Sequence, residues 1–389
     1  MDDPKNKDQA GTPATNDQAF AEPEDHALEN ATNTIISELS KKGYTYLKED
    51  LLDEAEDNFN KILEYEPTNN YALVGLGDVK RKQGNFHKAT EYYLSCLKHH
   101  EGNNYALFGL ADCYKALQQF QKAIDIWEKY LLHDESNITV LTRVADAYRK
   151  VKNFKKSREI YLRVLEKEPD NAYALIGLGH LHYDFKEYET ALKYWEKMML
   201  INQDNIDIRV LTSIGNCHRK LKTFEKGLVF FEEALKSEPN NFYALFGMAD
   251  CYRGLNRHQE SFDYWLRILK GDSQNKVILT RAGDALRNLD RLDEAEEYYK
   301  RALNIEFDTY AVLGLALINK AKGNYLEALE SLTGLLVNES KNPRLYTEIA
   351  ECYIELGNRD KAQAILARYL RTGQKNARVS ELLEKVKGE

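Results

Sequence analysis

The stretch NYALFGLADCYKALQQFQKAIDIWEKYLLHDESN, residues 104–137, decides the fold because its pattern recurs along most of the chain. The period is 34 residues, with two extra residues in the fifth repeat and one fewer in the eighth. The ten repeats begin at Ile36, Asn70, Asn104, Ile138, Ala172, Ile208, Phe242, Lys276, Thr309 and Pro343. A period of about 20 to 50 residues indicates an array in which each repeat packs against its neighbours.

Three positions of the repeat are constant in size. Position 8 is Gly or Ala in every repeat, and position 20 is Ala, Ser or Gly. Position 24 is large throughout, with Phe59, Tyr93, Trp127, Tyr161, Trp195, Phe231, Trp265, Tyr299, Leu332 and Leu366. The apolar residues around these positions follow helical spacing, which predicts two helices in each repeat. We expect the two helices to cross closely at the small residues, with the large residue filling the space beside the crossing.

The ends of the repeats carry residues that are typical of helix boundaries. Nine repeats have asparagine at position 34, namely Asn69, Asn103, Asn137, Asn171, Asn205, Asn241, Asn275, Asn342 and Asn376. An asparagine just before a helix can accept hydrogen bonds from the free backbone N–H groups of its first turn. Proline occupies position 32 in three repeats, at Pro67, Pro169 and Pro239, which agrees with breaks between helices.

This small–small–large pattern, with Pro and Asn at the repeat ends, resembles the tetratricopeptide repeat family over residues 36–376. The resemblance implies an all-α fold, a right-handed superhelical solenoid of antiparallel helix pairs. It also implies that the first helix of each pair lines a concave groove and the second helix forms the convex back. Leu332, Leu366 and the missing proline of most repeats are modest departures. We predict that the ten-repeat solenoid covers residues 31–376.

A longer rhythm lies above the single repeat. The sequence NNYALFGLADCYKAL from Asn103 returns as NNFYALFGMADCYRGL from Asn240. The sequence ITVLTRVADAYRK from Ile138 returns as KVILTRAGDALRN from Lys276. Repeats 3 and 4 therefore resemble repeats 7 and 8, and we infer a duplication of a four-repeat block. A duplicated block suggests a surface that repeats its contacts.

The two ends of the chain differ from the repeats. Residues 1–30 hold eight acidic residues, two lysines and few large apolar residues, which predicts a disordered acidic tail, although the first helix can begin early, in residues 27–33. Residues 377–389 form a predicted amphipathic helix with Val379, Leu382, Leu383 and Val386 on one face. We expect this helix to cap the open end of the solenoid. The alternative is that Leu382 and Leu383 support a dimer.

The composition narrows the choice of partner and location. The 62 acidic residues outnumber the 54 Lys and Arg, for a formal net charge of −8, which argues against nucleic acid as a partner. No stretch suits a signal peptide or a membrane span, so we predict no membrane insertion.

Four of the five cysteines share position 10, which favours small buried side chains over disulfides. We expect a cytoplasmic protein, and a periplasmic or exported location stays open if a leader has been removed.

Motifs of catalysis are missing from the sequence. It contains no GxxxxGK, GxGxxG, GxSxG or HExxH pattern. His180 and His182, with His218 in the next repeat, are the best metal candidates, but residues two apart on a helix do not share a face. We therefore predict that the chain is not an enzyme and holds neither a metal nor a cofactor.

The resemblance also implies which residues face the groove, because positions 2, 5, 6, 9, 12 and 13 of the first helix point into it in this family. Position 2 supplies Tyr71, Tyr105, Tyr173, Tyr243 and Tyr310. Position 9 supplies Asp78, Asp112, Asp146, Asn216, Asp250, Asp284 and Glu351. Position 12 supplies Arg81, Lys115, Arg149, Arg219, Arg253, Arg287 and Lys320. The duplicated repeats add Phe108 and Phe246 at position 5, and Arg143 and Arg281 at position 6.

These residues predict a surface that binds an extended or helical peptide. Asp and Asn would hold its backbone N–H groups, Arg its carbonyls or carboxylates, and Tyr its side chains; Tyr and Arg often carry interface energy. The alternative is a solvated surface whose acids and bases pair with each other, since residues three apart on a helix can pair. Some tetratricopeptide co-chaperones clamp an acidic C-terminus with a position 5 lysine, which no repeat has here.

The predicted function is therefore a protein–protein interaction scaffold that binds a peptide or a partner surface in its groove. Two alternatives stay open. One is a self-assembling, homo-oligomeric scaffold, because a duplicated array offers repeated surfaces. The other is a non-catalytic regulatory subunit of an enzyme in another chain.

Overall fold

The computed structural model describes residues 23–201 and 206–388, with side chains from residue 31 onward. These residues form twenty-one α-helices, packed as consecutive antiparallel pairs. The chain divides into two compact parts, an N-terminal part that ends at residue 169 and a C-terminal part that begins at residue 170.

The N-terminal part holds repeats 1 to 4, with one helix pair in each. Its helices are α1 (Pro23–Lys48), α2 (Leu52–Tyr65), α3 (Asn70–Lys82), α4 (Phe86–His99), α5 (Asn104–Ala116), α6 (Phe120–His133), α7 (Ile138–Lys150) and α8 (Phe154–Lys167). First helices of successive repeats also contact each other, as α1 contacts α3 and α3 contacts α5.

The C-terminal part holds repeats 5 to 10 and one further helix. Its first helices are α9 (Ala172–Asp184), α11 (Ile208–Lys220), α13 (Phe242–Gly254), α15 (Lys276–Asn288), α17 (Thr309–Ala321) and α19 (Pro343–Glu355). Its second helices are α10 (Tyr188–Ile201), α12 (Phe224–Ser237), α14 (His258–Gly271), α16 (Leu292–Ile305), α18 (Tyr325–Asn338) and α20 (Arg359–Arg371), and α21 (Ala377–Gly388) ends the chain. Contacts between α11 and α13, and between α15 and α17, join successive first helices here too.

Asparagine side chains cap the first helices, as their spacing predicts. Side-chain oxygens accept backbone N–H bonds at Asn69, Asn103, Asn137, Asn171, Asn241, Asn275, Asn342 and Asn376. The two irregular junctions use aspartate, because Asp207 caps α11 after the two extra residues and Asp308 caps α17 after the shortened repeat. Asn205, also predicted as a cap, lies outside the described residues.

Glycines let the position 24 aromatics lie between two repeats. Phe59 contacts Gly43 at position 8 of its own repeat and Gly75 at position 6 of the next. A Cβ atom on Gly75 would lie 2.4 Å from the Phe59 ring, closer than real Cβ contacts. The sequence pattern identified position 8 as small, but position 6 must be small as well wherever a ring reaches the next repeat.

The two ends of the chain differ in how they meet the predicted boundaries. Helix α1 begins at Pro23, so residues 23–30 of the predicted tail are helical; proline suits the first turn of a helix because its φ is already helical. The rest of the predicted tail, residues 1–22, lies outside the described residues. At the other end, α21 packs on α19 and α20 and buries Val379 and Leu383.

Candidate functional site

The position 2 tyrosines lie in the first turn of their helices with most of their side chains in solvent. Their exposed fractions run from 59% for Tyr71 to 80% for Tyr105. The two residues that follow point inward, as Ala106 and Leu107 do after Tyr105. These helices therefore turn positions 3 and 4 inward, where Val312 of repeat 9 is half-buried, and leave the tyrosine exposed to contact another molecule.

In the N-terminal part, the charged residues at positions 9 and 12 pair along their own helices. Arg81 donates to Asp78 at 2.9 Å, and Arg149 donates to Asp146 at 2.9 Å. The Tyr93 hydroxyl donates to the same Asp78 oxygen at 2.7 Å, so the buried aromatic of the repeat also holds this carboxylate in place. These acids already have partners, which makes them a fixed polar surface.

In repeats 3 and 4, the first copy of the duplicated pair of repeats, a contact between repeats covers Phe108. Arg143 donates to Asp112 of the preceding repeat at 2.7 Å, and its guanidinium carbon lies 5.0 Å from the centre of the Phe108 ring. Burial raises the pKa of the Asp112 carboxyl, and the nearby Arg143 opposes that rise. Phe108 is therefore covered by a cation that is itself neutralised by a carboxylate.

In repeat 7, which corresponds to repeat 3 in the second copy, the aspartate at position 9 forms different ion pairs. Asp250 accepts from Arg253 on its own helix at 2.7 Å and from Arg219 of the preceding repeat at 2.5 Å. Arg219 also covers Phe246, with 6.0 Å between its guanidinium carbon and the ring centre. Burial opposes ionisation of Asp250, but the hydrogen bonds from the two arginines outweigh it and hold the pKa of this carboxyl below its ordinary value.

Five predicted groove residues of the C-terminal part meet around one pocket of about 340 Å³. They are Arg253, Arg281, Asp284, Arg287 and Tyr310. Sequence reasoning did not select the remaining polar lining residues, Asn256, His258, Asn288 and Arg344. Arg344 occupies position 2 of repeat 10, where five other repeats have tyrosine. This departure from the repeat pattern is the feature of the sequence that could have identified Arg344.

The last repeats hold their charges in a separate cluster. Lys320 donates to Glu348 at 2.6 Å and also to Glu351, which accepts from Arg378 of α21 at 3.1 Å. Burial disfavours the charged form of Lys320, but its bonds to the two glutamates outweigh burial and raise its pKa. This cluster connects the last repeat to the final helix and leaves no cation of the cluster unpaired.

The predicted metal candidates have other surroundings. Nδ1 of His182 lies 2.6 Å from Glu187, and Nδ1 of His218 lies 2.9 Å from the Thr223 hydroxyl. Among the described residues, no group of three or more His, Cys, Asp or Glu side chains is placed to hold a metal ion. The five cysteines are buried with free thiols, and burial raises the pKa of Cys113, for example, to about 12.

Among the residues that the structure describes, no helix has the length and apolar character needed to cross a membrane.

Sequence models of the tetratricopeptide repeat family match almost the entire helical region. The matched segments are residues 39–69, 74–137, 143–205, 208–241, 230–276, 278–309 and 320–386. The chain belongs to the tetratricopeptide repeat family. Proteins of this family generally mediate protein–protein interactions. No curated protein matches the tetratricopeptide chain described here.

Two solved structures are similar to this chain at low sequence identity. The C-terminal part of a repeat-containing protein from Cytophaga hutchinsonii is 17% identical, with a TM-score of 0.51 over 62% of this chain and 99% of that one. The type IV pilus biogenesis factor PilW is 18% identical, with a TM-score of 0.47 over 51% of this chain and 91% of that one. At 17% identity the similarity to the Cytophaga hutchinsonii protein concerns the fold alone.

Proposed function

We propose that this tetratricopeptide protein is a scaffold that binds an extended or helical peptide along the exposed face of its first helices. The observation that carries the proposal is the solvent exposure of the position 2 tyrosines, all five above half. A tyrosine offers a large apolar ring and a polar tip at low entropic cost, and it is enriched in interface hot spots. The repeated spacing would let one peptide meet several of them in each part of the chain.

The charged residues have a second role in this proposal. Because Asp78, Asp146 and Asp250 are paired with arginines, they are poor primary anchors for peptide N–H groups. Ion pairs near the surface contribute only about 0 to 1 kcal/mol each to stability, so an incoming peptide can exchange the partly exposed Arg81–Asp78 pair at small cost. The buried Asp250 keeps its arginines. We infer that tyrosines supply most of the affinity and that the ion pairs select the polarity of the peptide.

The test is a selection of binding peptides from a random library, followed by affinity measurements with one variant. That variant replaces Tyr105, Tyr173, Tyr243 and Tyr310 with alanine, and we expect affinity to fall at least about tenfold. The control replaces Tyr65 and Phe307, which are 53% and 61% exposed but lie outside the first helices. Unchanged affinity in the first variant, or an equal loss in the control, would contradict the proposal.

The same samples address the two alternatives. Light scattering across a range of concentrations would reveal a self-assembling scaffold as a rise in mass with concentration. A regulatory role would require a folded enzyme as the partner, so it predicts no peptide from the library and binding only to an intact protein. Cytoplasmic location is part of the proposal, and labelling of the natural protein in fractionated cells would test it.

A further inference from the structure

The pocket in the C-terminal part carries an unbalanced set of charges. Helices α13, α15 and α19 contribute four arginines, while Asp284 is the only acidic residue that lines it. The arginines are Arg253, Arg281, Arg287 and Arg344. Asp284 accepts a hydrogen bond from the Tyr299 hydroxyl at 2.9 Å, so part of its hydrogen-bonding capacity is already used. The volume of about 340 Å³ falls near the lower end of ligand pockets, about 300 to 1,000 Å³.

Neighbouring carboxylates neutralise only some of these arginines. Arg253 is bound by Asp250, and Arg344 has Glu348 at 3.8 Å, a weak contact. Within the described residues, Arg281 forms no hydrogen bond or ion pair. Arg281 therefore lines the pocket with its charge uncompensated.

Comparison with the first copy of the duplicated repeats explains why Arg281 has no carboxylate partner. At the equivalent position of the N-terminal part, Arg143 binds Asp112 of the preceding repeat. Arg281 would bind Asp250 in the same way, but Arg219 and Arg253 already donate to that carboxylate. The two copies therefore share a sequence pattern and differ in which arginine obtains the acid.

Two substitutions between the copies account for this difference. Position 12 is Lys115 in repeat 3, where it pairs with Asp146 of the next repeat, whereas the equivalent Arg253 in repeat 7 donates to Asp250.

The second substitution is at position 9 of the repeat before. Position 9 is Asp78 in repeat 2, where it pairs with Arg81 of the same helix. The equivalent residue in repeat 6 is Asn216, whose neutral amide oxygen accepts from Arg219 at 3.1 Å. Since Asn216 cannot neutralise Arg219, that arginine turns to Asp250 as well. Arg281 loses its acid as a result.

Two enclosed nitrogen atoms also line the pocket without a well-formed hydrogen bond. Nε of Arg287 and Nδ1 of His258 are buried and form no hydrogen bond of ordinary geometry among the described residues, although the Tyr299 hydroxyl lies beside the Arg287 guanidinium. A buried donor without an acceptor is unfavourable, and more so when it is charged, so a ligand that accepts a hydrogen bond from the arginine would be stabilised there. Arginine is suited to this because its planar fork matches carboxylate and phosphate oxygens.

We propose that this pocket binds an anionic group of a peptide, either a carboxylate or a phosphoryl group, through Arg281 and Arg287. The proposal rests on the function proposed above and adds an acidic residue to the peptide that the exposed tyrosines meet. Tyr310 is one of those tyrosines and also lines the pocket, so one peptide could contact both. The net charge of −8 disfavours nucleic acid as the source of the anion.

The experiment uses the full chain with ¹⁵N-labelled arginine and small probes in place of an unidentified peptide. N-acetyl-glutamate amide, N-acetyl-O-phosphoserine amide and inorganic phosphate are titrated separately while the arginine Nε–H signals are recorded by NMR. We expect the Arg287 Nε–H signal to shift with an apparent Kd of about 1 mM or below for at least one amino-acid probe. Comparison of the glutamate and phosphoserine probes identifies which source of the anion is preferred.

Three variants sharpen the result. Arg281→Gln should weaken binding at least about tenfold, because a hydrogen bond to a charged group is lost. Arg143→Gln, the matched change in the N-terminal part, should leave binding unchanged. Asn216→Asp keeps all four pocket arginines but gives Arg219 its own acid, so Asp250 can bind Arg281 and the affinity should again fall. Equal affinity for wild type and Asn216→Asp would overturn the account of why Arg281 is free.

The outcomes separate this inference from the proposed function. If no probe shifts Arg287, the pocket inference is wrong even when library peptides bind the tyrosines. If the probes bind and Arg281→Gln weakens them while the library yields nothing, the anion site stands and the peptide scaffold fails. A short single-stranded oligonucleotide that shifts Arg287 more strongly than phosphoserine would overturn the assignment to a peptide.

Discussion

Asp112 and Asp250 occupy the same position of duplicated repeats, yet their carboxyl groups have opposite pKa shifts. Burial raises the pKa of Asp112 above 3.8, although Arg143 opposes the rise. Burial also acts on Asp250, but hydrogen bonds from Arg253 and Arg219 lower its pKa below 3.8. The difference follows from the number of arginines that donate to each carboxylate, one in the first copy and two in the second.

We predict that these two carboxyls titrate on opposite sides of 3.8. The measurement is an NMR titration with ¹³C-labelled aspartate, with Asp112→Asn and Asp250→Asn used to assign the signals. Ionised Asp250 stabilises the fold above pH 3.8, and this contribution is lost as pH falls through its lowered pKa. For Asp112 the sign is reversed, because folding favours its protonated form, and that contribution disappears as pH rises through the raised pKa. Shifts in the same direction would contradict the pairing described here.

Residue spacing within one helix predicted part of this surface correctly. Acids at position 9 and bases at position 12 pair as expected in Arg81 with Asp78 and in Arg149 with Asp146. Bonds between repeats, such as Arg219 with Asp250, join residues 31 apart and depend on how one helix lies beside the next. Periodicity alone cannot decide which of three arginines obtains one carboxylate, so the free Arg281 could not be foreseen.

At the scale of the helix pair, the contact between a position 24 aromatic and the next repeat limits what position 6 can hold. Tyr93 packs against Gly77 of its own repeat and Gly109 of the next, and a Cβ on Gly109 would lie 2.3 Å from the Tyr93 ring. The sequence predicted the small residue at position 8 from its constancy. Position 6 varies from Gly to Arg, and its size limit becomes visible only where the ring reaches across.

We predict that Gly109→Ala destabilises the packing of α4 on α5 by about 1 to 3 kcal/mol, because the added methyl group overpacks the contact. The matched control is Gly334→Ala, also inside a helix, where nothing lies within 4 Å of the added Cβ. Alanine should stabilise that site by up to about 1 kcal/mol through helix propensity. Hydrogen exchange of the α5 and α18 amides measures both, and equal effects of the two changes would refute the steric argument.

At the scale of the whole molecule, net charge is an average that hides local features. Residues 1–30 hold eight acids and two lysines, so they account for most of the formal charge of −8. The pocket of the C-terminal part has four arginines against one aspartate within the same chain. Composition therefore predicts weak non-specific binding to nucleic acid, but it cannot reveal a small site whose charge is set by neighbouring helices.

The last helix supplies a prediction about how the repeat array ends. Val379 and Leu383 of α21 are buried against the core that contains Leu345 and Ile349 of α19. A terminal repeat needs a covering element with a polar outer face, because each repeat otherwise exposes the apolar surface that a neighbour would bury. The sequence predicted the apolar face of this helix but left capping and dimer formation as alternatives.

A chain that stops after Asn376 separates those alternatives. If α21 is a cap, its removal should cost at least about 3 kcal/mol from the two buried side chains, and the exposed core should make the truncated protein associate. Light scattering would then show a monomer for the full chain and a larger species for the truncated one, with reduced protection of the α19 and α20 amides. Glu381→Gln, on the exposed side of α21, should change neither property. If α21 instead forms a dimer, the full chain is the larger species and truncation yields the monomer, because the surface that joins two copies is removed with the helix.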